Sequence, residues 1–348
     1  LAPHVDPPVL ALAWGVAIGG VLQLALQLRP LARLGMLPKP SFAWRDPGVR
    51  RVLNTMGPAA LGVYGAQVSA LINTQLAAWL GDGRISWITY ADRLMEFPSA
   101  LLGVAIGTVI LPSLAKHHAD ADHVQYSALL DWGMRVALLF ALPAAIALWL
   151  LAVPLIATLY QYGRFTPHDV FQVRTALIGY AVGLAALILV KILAPGFYAR
   201  QDLKTPVKIA FFTVLVTQAF ALTLMWPLGH AGLTLATSLG ACVNAGLLFT
   251  FLYRRRHYVP SPGWLGFASR LVVALGVLAA VLAFLAGPAS YWIEAGLWTR
   301  VGRLGLVIAA AGVAYFGTLW LLGFRLADFS RREADRDAAG PPDAPPES

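Results

Sequence analysis

YADRLMEFPSALLGVAIGTVILPSLAKHHA, Tyr90–Ala119, decides how the rest of the chain is read. Its second half is a run of apolar and small residues. Its first half places Asp92, Arg93 and Glu96 inside the same apolar stretch. With Ser86 as its start, the segment Ser86–Leu114 has the length of a membrane-spanning helix, which needs about 20 mainly apolar residues. An ionisable side chain at the centre of an isolated spanning helix costs at least about 2.5–3.5 kcal/mol. Three such groups at the head of one span therefore call for a physical reason.

The whole chain fits this setting. Its 348 residues are 58% hydrophobic and 12% charged, where soluble domains run near 45–50% and about 25%. Nine segments have spanning character: near Val9–Leu28, Leu53–Leu80, Ser86–Leu114, Ala128–Leu151, Val170–Leu193, Pro206–Trp226, Leu233–Tyr253, Trp264–Leu285 and Val301–Leu322. The fold expected is all-α, a polytopic membrane helix bundle of about nine transmembrane helices, because open sheet edges cannot be satisfied in lipid and no segment shows the alternation of a membrane barrel.

The connections carry an orientation. Arg29, Arg33, Lys39, Arg45, Arg50 and Arg51 follow the first segment, and Lys116, Arg200, Lys204, Lys208, Arg254–Arg256, Arg325, Arg331 and Arg332 fall on alternate connections. The intervening ones, such as GDGR and WPLGHAG, hold few cations. The positive-inside rule makes the first set cytoplasmic, which puts Leu1 outside and Ser348 inside. "LAPHVDPP" has no basic n-region leading into a short apolar core, so it does not read as a signal peptide; an odd number of spans with an outward start suggests a cut through a longer protein. The polar, Pro-rich end, SRREADRDAAGPPDAPPES, reads as a disordered tail.

Arg93 and Glu96 are three residues apart and share a helix face, which continues through Ala100, Gly103 and Gly107. Gly103 and Gly107 form a GxxxG pair that permits close approach of another helix. Two readings stand. The pair anchors the outer end of the helix, or it faces a wet cavity where the planar guanidinium is suited to phosphate. Asp92 faces elsewhere and reads as an interfacial or cap residue. Arg174 and Lys191 are possible secondary contacts to an anion, though both can snorkel. Gln67, Asn73, Gln75, Gln218 and Asn244 read as interhelical hydrogen-bonding groups, and Asp131 with Arg135 as a local ion pair. Pro and Gly inside the spans, among them Pro98, Pro143 and Pro195-Gly196, are breaks or kinks of the kind transporters use. The histidines fall in loops, and no metal or cofactor site is expected. Cys242 is the one cysteine, which excludes an internal disulfide. No nucleophile elbow, phosphate loop or zinc motif stands in a convincing setting, and nucleic-acid binding is not expected.

YADRLMEFP, LLGVAIGTVILPSLAKH and LAPGFYARQDLKTPVKIA, supported by MGPAALGVYGAQVSALINT and QYGRFTPHD, resemble the MurJ (MviN) family of lipid II flippases over Leu1 to about Phe329. That family belongs to the multidrug/oligosaccharidyl-lipid/polysaccharide exporter superfamily, with fourteen spans in two lobes. The resemblance implies the sixth span plus the C-terminal lobe: 1–28 the last span of an N-terminal lobe, 29–52 a cytoplasmic inter-lobe loop, 53–253 a six-helix core, 254–329 two additional helices forming a lipid-tail groove, and 330–348 the tail. It implies a bacterial inner-membrane protein, not an enzyme, whose partners are lipid II, membrane lipids and the N-terminal lobe of the same protein. Arg93, Glu96 and Ser86 match the family's functional arginine, glutamate and serine. Some members are reported to bind sodium through acidic residues in spans matching Leu53–Leu80 and Pro206–Trp226, but this sequence has none there. The rival readings are another exporter of the superfamily, for a drug or another polyprenyl-linked glycan, and a membrane glycosyltransferase. The second needs a catalytic carboxylate, usually in a large external loop. Here those loops are short, with Asp82, Asp169 and Glu294 as their chief acids.

Overall fold

The structure, a computed structural model, describes residues 8–35 and 46–324, with the side chains of 8, 9, 12, 51–66 and 104 left undescribed. The tail expected at 330–348, the chain's first residues and much of the connection expected at 29–52 lie outside the described residues. Two compact units are present, Leu1–Thr55 and Met56–Ser348. The first contains α1 (Pro8–Arg33), an apolar helix of spanning length, and the start of α2 (Pro47–Trp79).

The second unit contains the rest of α2 and nine further helices: α3 (Arg84–Ala119), α4 (His123–Leu150), α5 (Ala152–Tyr160), α6 (Pro167–Tyr198), α7 (Lys204–Leu228), α8 (His230–Arg254), α9 (Trp264–Ala286), α10 (Ala289–Glu294) and α11 (Leu297–Leu321). Among the described residues, eight helices are long and apolar enough to cross a membrane. The segment expected at Leu53–Leu80 forms α2, but much of it lies among the undescribed side chains. Two short helices were not expected. α5 follows α4 after Leu151, and α10 occupies the connection GPASYWIEAG. The break expected at Pro195-Gly196 is not an end, because α6 runs through to Tyr198.

Local chemistry sets the helix ends. Thr166 and Asp169 form a reciprocal capping box at the head of α6, followed by Pro167. The Asp122 side chain accepts from the Gln125 amide at 2.9 Å and starts α4. α7 and α8 are separated by Gly229 alone, whose φ of +58° is readily open only to glycine.

α6 is the axis of the second unit. It packs against α3, α4, α5 and α8. Its closest neighbour is α8, and glycines allow the approach. A Cβ on Gly183 would stand 2.4 Å from the Ser238 Cα, and one on Gly179 would stand 2.2 Å from the Thr234 Oγ1. The Ser238 hydroxyl donates to the Gly179 carbonyl at 2.7 Å, closing the contact with a polar tie. Small residues and hydrogen bonds hold helices together where apolar attraction cannot. A smaller cluster seats Leu76 and Ala77 of α2 against Ala221 and Met225 of α7 and Leu233 and Ala236 of α8. Two of the expected interhelical bonds occur here: Gln218 donates to the Ser69 hydroxyl at 2.7 Å, and Asn73 to Thr237 at 3.5 Å.

Overpacking a tight helix contact costs about 1–3 kcal/mol. Gly183→Ala is expected to lower the thermal unfolding temperature in detergent. Gly276→Ala on α9, where nothing lies within 4 Å of the new methyl, is expected to leave it unchanged. Equal effects at the two positions would remove the packing argument for α6 and α8.

Candidate functional site

The charged head of α3 lies well inside the helix. α3 starts at Arg84, so Arg93 stands about 14 Å from its beginning at 1.5 Å per residue. The Arg93 Nη1 donates to the Glu96 Oε2 at 2.9 Å, with the two side chains 67% and 57% exposed. That exposure decides what the pair can do. A surface ion pair is worth about 0–1 kcal/mol, too little to fix Arg93 against a stronger anion. Nor can two open charges at this depth face hydrocarbon. The face of α3 that carries them needs water or a polar partner.

Ser86 lies seven residues before Arg93, about two turns earlier on the same face, and it is exposed. Asp92 is not a cap: it is half-buried in mid-helix. Arg174 is exposed on α6. It stands seventeen residues from Lys191, about 25 Å along the helix, so the two cannot meet one phosphate. Lys191 is exposed, but its ammonium is engaged rather than free. Its ammonium donates to the Ser99 carbonyl at 2.8 Å and to the Ser99 hydroxyl at 3.0 Å. Its stem passes over Gly103, where a Cβ would stand 2.2 Å from the Lys191 Cδ. The GxxxG face thus admits a lysine side chain at Gly103, while nothing lies within 4 Å of a Cβ at Gly107.

Other cations are committed to structure. Asp131 and Arg135 pair at 2.8 Å, as expected. The buried Asp131 Oδ1 also accepts from the Tyr258 hydroxyl at 2.6 Å, the Trp264 indole at 2.7 Å and the Ser261 amide at 3.2 Å. Arg135 lies over the Trp264 ring at 5.0 Å. The cluster fastens the α8–α9 connection to α4. In that connection, burial and the hydrogen bond to the Asp131 carboxylate push the Tyr258 hydroxyl well above its ordinary range. In the connection before α7, partial burial raises the pKa of Asp202, but hydrogen bonds from Thr205 and the charge of Arg255 outweigh it and hold the carboxyl below its usual range.

Sequence reasoning passed over three residues. Arg300 is 6% exposed and donates to the carbonyls of Ala157 at 2.8 Å and Ile293 at 2.7 Å, clamping α11 to α5 and α10. Arg303 lies 4.0 Å from the Tyr291 ring centroid. Their signal was the spacing of two arginines just after an aromatic-rich connection. His230 is not a loop residue: it is buried at the head of α8, with its Nε2 2.9 Å from the Gln172 carbonyl. His117 and His118 likewise lie in the last turn of α3. Among the described residues, no group of three or more His, Cys, Asp or Glu is placed to hold a metal ion.

Two hollows are open. One of about 380 Å³ is lined by Ala145, Ile146, Trp149 and Leu150 of α4, Ala181 and Val182 of α6 and Ala279 of α9. The other, about 630 Å³, lies where α7 turns into α8, beside Arg84, Gln172, Thr175 and His230. The first is wholly apolar in its lining residues. α11 gives it none of them, and α9 only one.

The family model described as lipid II flippase MurJ matches residues 1–300. The lipid II flippase MurJ of Burkholderia cenocepacia is 51% identical over 337 residues, covering 95% of this chain and 65% of that protein. A probable lipid II flippase MurJ of Vibrio cholerae is 37% identical over 328 residues, covering 94% of this chain and 62% of its own length. The chain therefore spans less than two thirds of either relative. A solved structure titled as a lipid II flippase MurJ in an inward closed conformation superposes with a TM-score of 0.63 at 20% identity, over 82% of this chain and 59% of that one. At that identity the likeness speaks for the fold.

The two charge pairs differ in what they do for stability. Asp131→Ala leaves Arg135 without its carboxylate in a buried cluster and is expected to cost about 3–5 kcal/mol. Arg93→Ala removes an exposed pair and is expected to cost no more than about 1 kcal/mol. Thermal unfolding of the two variants in detergent checks the contrast. A cost at Arg93 equal to that at Asp131 would make Arg93 a structural residue.

Proposed function

We propose a function from the premise that this chain belongs to the lipid II flippase MurJ family. It forms a large part of a transporter that moves lipid II, an undecaprenyl diphosphate bearing a disaccharide-pentapeptide, from the inner to the outer leaflet by alternating access. The cargo crosses chemically unchanged. The observation that carries the reading is the open Arg93–Glu96 pair inside a spanning helix. A diphosphate cannot cross hydrocarbon unaided, so it needs a cationic, hydrated face at membrane depth. The guanidinium offers planar, bidentate donors to it. Glu96 holds Arg93 while the site is empty and competes for it when the cargo leaves. Ser86, on the same face, adds a hydroxyl contact. Lys191 and Arg174 act elsewhere, the first through Ser99. The prenyl tail stays against apolar surface, for which the hollow among α4, α6 and α9 is suited, beside the groove expected from α9 and α11.

The protein lies in the bacterial inner membrane, with the α3–α4, α6–α7 and α8–α9 connections cytoplasmic, because these carry Lys116, Arg200 and Arg254–Arg256. In a Cys242→Ser background, cysteines at Asp82 and Gly296 are expected to react with an impermeant thiol reagent from outside, and cysteines at Lys116 and Arg255 only after permeabilisation. All four positions are exposed. The reverse pattern would invert the orientation.

Complementation of cells depleted of their own flippase tests the role of Arg93. In the intact protein, Arg93→Ala is expected to abolish growth with normal membrane levels. Arg93→Lys is expected to do poorly, since an ammonium is a point charge. Glu96→Ala is expected to slow growth less. If Arg93 and Glu96 served only each other, removing both would restore what either single change lost. Recovery in the double alanine variant would sink the cargo-binding role.

A further inference from the structure

Lys191 holds α3 at a weak point. Pro98 has no amide proton, so the carbonyl one turn before it loses its helical donor. The next residue, Ser99, is 7% exposed, and its carbonyl and hydroxyl both take the Lys191 ammonium. In a regular helix that carbonyl also serves the amide of residue 103. A side chain inserted into the hydrogen-bond ladder is one of the few causes of helix bending. Gly103 makes the insertion possible, because any larger residue there would strike the Lys191 stem. The two helices are thus pinned together immediately beyond the proline.

A second acceptor stands on the same helix. Glu96 stands one turn before Ser99 on α3. In this structure that carboxylate is engaged by Arg93. A lysine has three rotatable donors on a flexible four-carbon stem. A shift of about one helical turn, roughly 5 Å, lies within its swing.

We infer that Lys191 is a positioning residue that exchanges between Ser99 and Glu96, and that the departure of Arg93 from Glu96 triggers the exchange. While Arg93 holds Glu96, Lys191 stays on Ser99 and α3 is fixed to α6 beyond Pro98. When Arg93 turns to a diphosphate, the bare Glu96 carboxylate draws Lys191 away, and the segment of α3 after Pro98 is released. The inference rests on the reading of Arg93 as the anion-binding residue for what starts the exchange, but the exchange itself can be triggered without any anion.

Spin labels at Leu111 on α3 and Tyr198 on α6, both 39% exposed, report the distance between the released segment and α6. The intact protein in a Cys242→Ser background is expected to give one narrow distance distribution, and inorganic pyrophosphate to add a second population. Arg93→Ala is expected to show that second population with no pyrophosphate present. Arg93→Ala combined with Glu96→Gln is expected to return to the single distribution, a rescue that a merely structural role of Lys191 would not produce. Lys191→Met and Ser99→Ala, which loosen the pin from either side, are both expected to show the second population unprompted. A single distribution in Arg93→Ala, or a second population that persists when Glu96→Gln is added, would overturn the exchange. If Arg93→Ala shifts the distribution and pyrophosphate does not shift the parent, the exchange stands and the anion-binding reading of Arg93 falls.

Discussion

A charge inside an apolar helix has to be given water or a partner, and this constraint organises the second unit around α3. The opposite side of that helix is buried: Ala91, Leu94, Met95, Ile106 and Ile110 all belong to the main core. The side with Ser86, Arg93 and Glu96 stays open. A helix committed to a core on one side and to charge on the other cannot lie freely in lipid. It has to border a hydrated space, while its core side packs against the neighbouring helices.

α6 makes that arrangement possible. Through Gly179 and Gly183 it draws α8 close enough for the Ser238 hydroxyl to donate to the Gly179 carbonyl, and it meets α3 through Lys191 and Ser99. Trp87 of α3 donates to Asp169 of α6 at 2.8 Å near the other end of the contact. α3 is thus tied to α6 by polar bonds at its head and beyond Pro98, with the Arg93–Glu96 pair between them. The same economy holds the last helices. Asp131 fastens the approach to α9, the Tyr315 hydroxyl of α11 donates to the Leu139 carbonyl at 2.6 Å, and Arg300 clamps the far end. Three depths of one helix pair are bound to α4 and α5 by groups whose burial makes each bond hard to give up.

What the sequence disclosed follows from what hydropathy and spacing can carry. Apolar runs revealed the spans, and residue spacing placed Arg93 with Glu96 and Asp131 with Arg135, because a helix fixes those neighbours before any packing occurs. Pairing between helices was less legible. Lys191 on α6 and Ser99 on α3 are far apart in sequence, and nothing in either segment marks the other. Gly103 read as a site for a neighbouring helix, when the neighbour is a lysine stem. α10 and α5 escaped because short helices in connections have no spanning length to betray them. Arg300 and Arg303 escaped because an arginine at a helix end is ordinarily read as snorkelling, whereas here the guanidinium of one is buried and that of the other lies on an aromatic ring.

The distribution of cations separates scaffold from site. Arg135 faces a carboxylate and an indole, Arg255 pairs with Asp202 at 2.8 Å, Arg300 is held by two carbonyls, and Arg303 lies on Tyr291. Lys191 is taken by Ser99. In each case several contacts would have to be broken together to free the cation, and in the buried cases desolvated carbonyls or carboxylates would be left without donors. Arg93 pairs with Glu96, on its own helix, with both side chains largely open. Releasing it strands no buried group and disturbs no helix contact directly. A residue that must bind and let go of a charged cargo in every cycle has to sit where leaving its resting partner costs little. Among these cations, that condition is met at Arg93, and its resting partner stands one turn before the serine that holds the ammonium pinning α3.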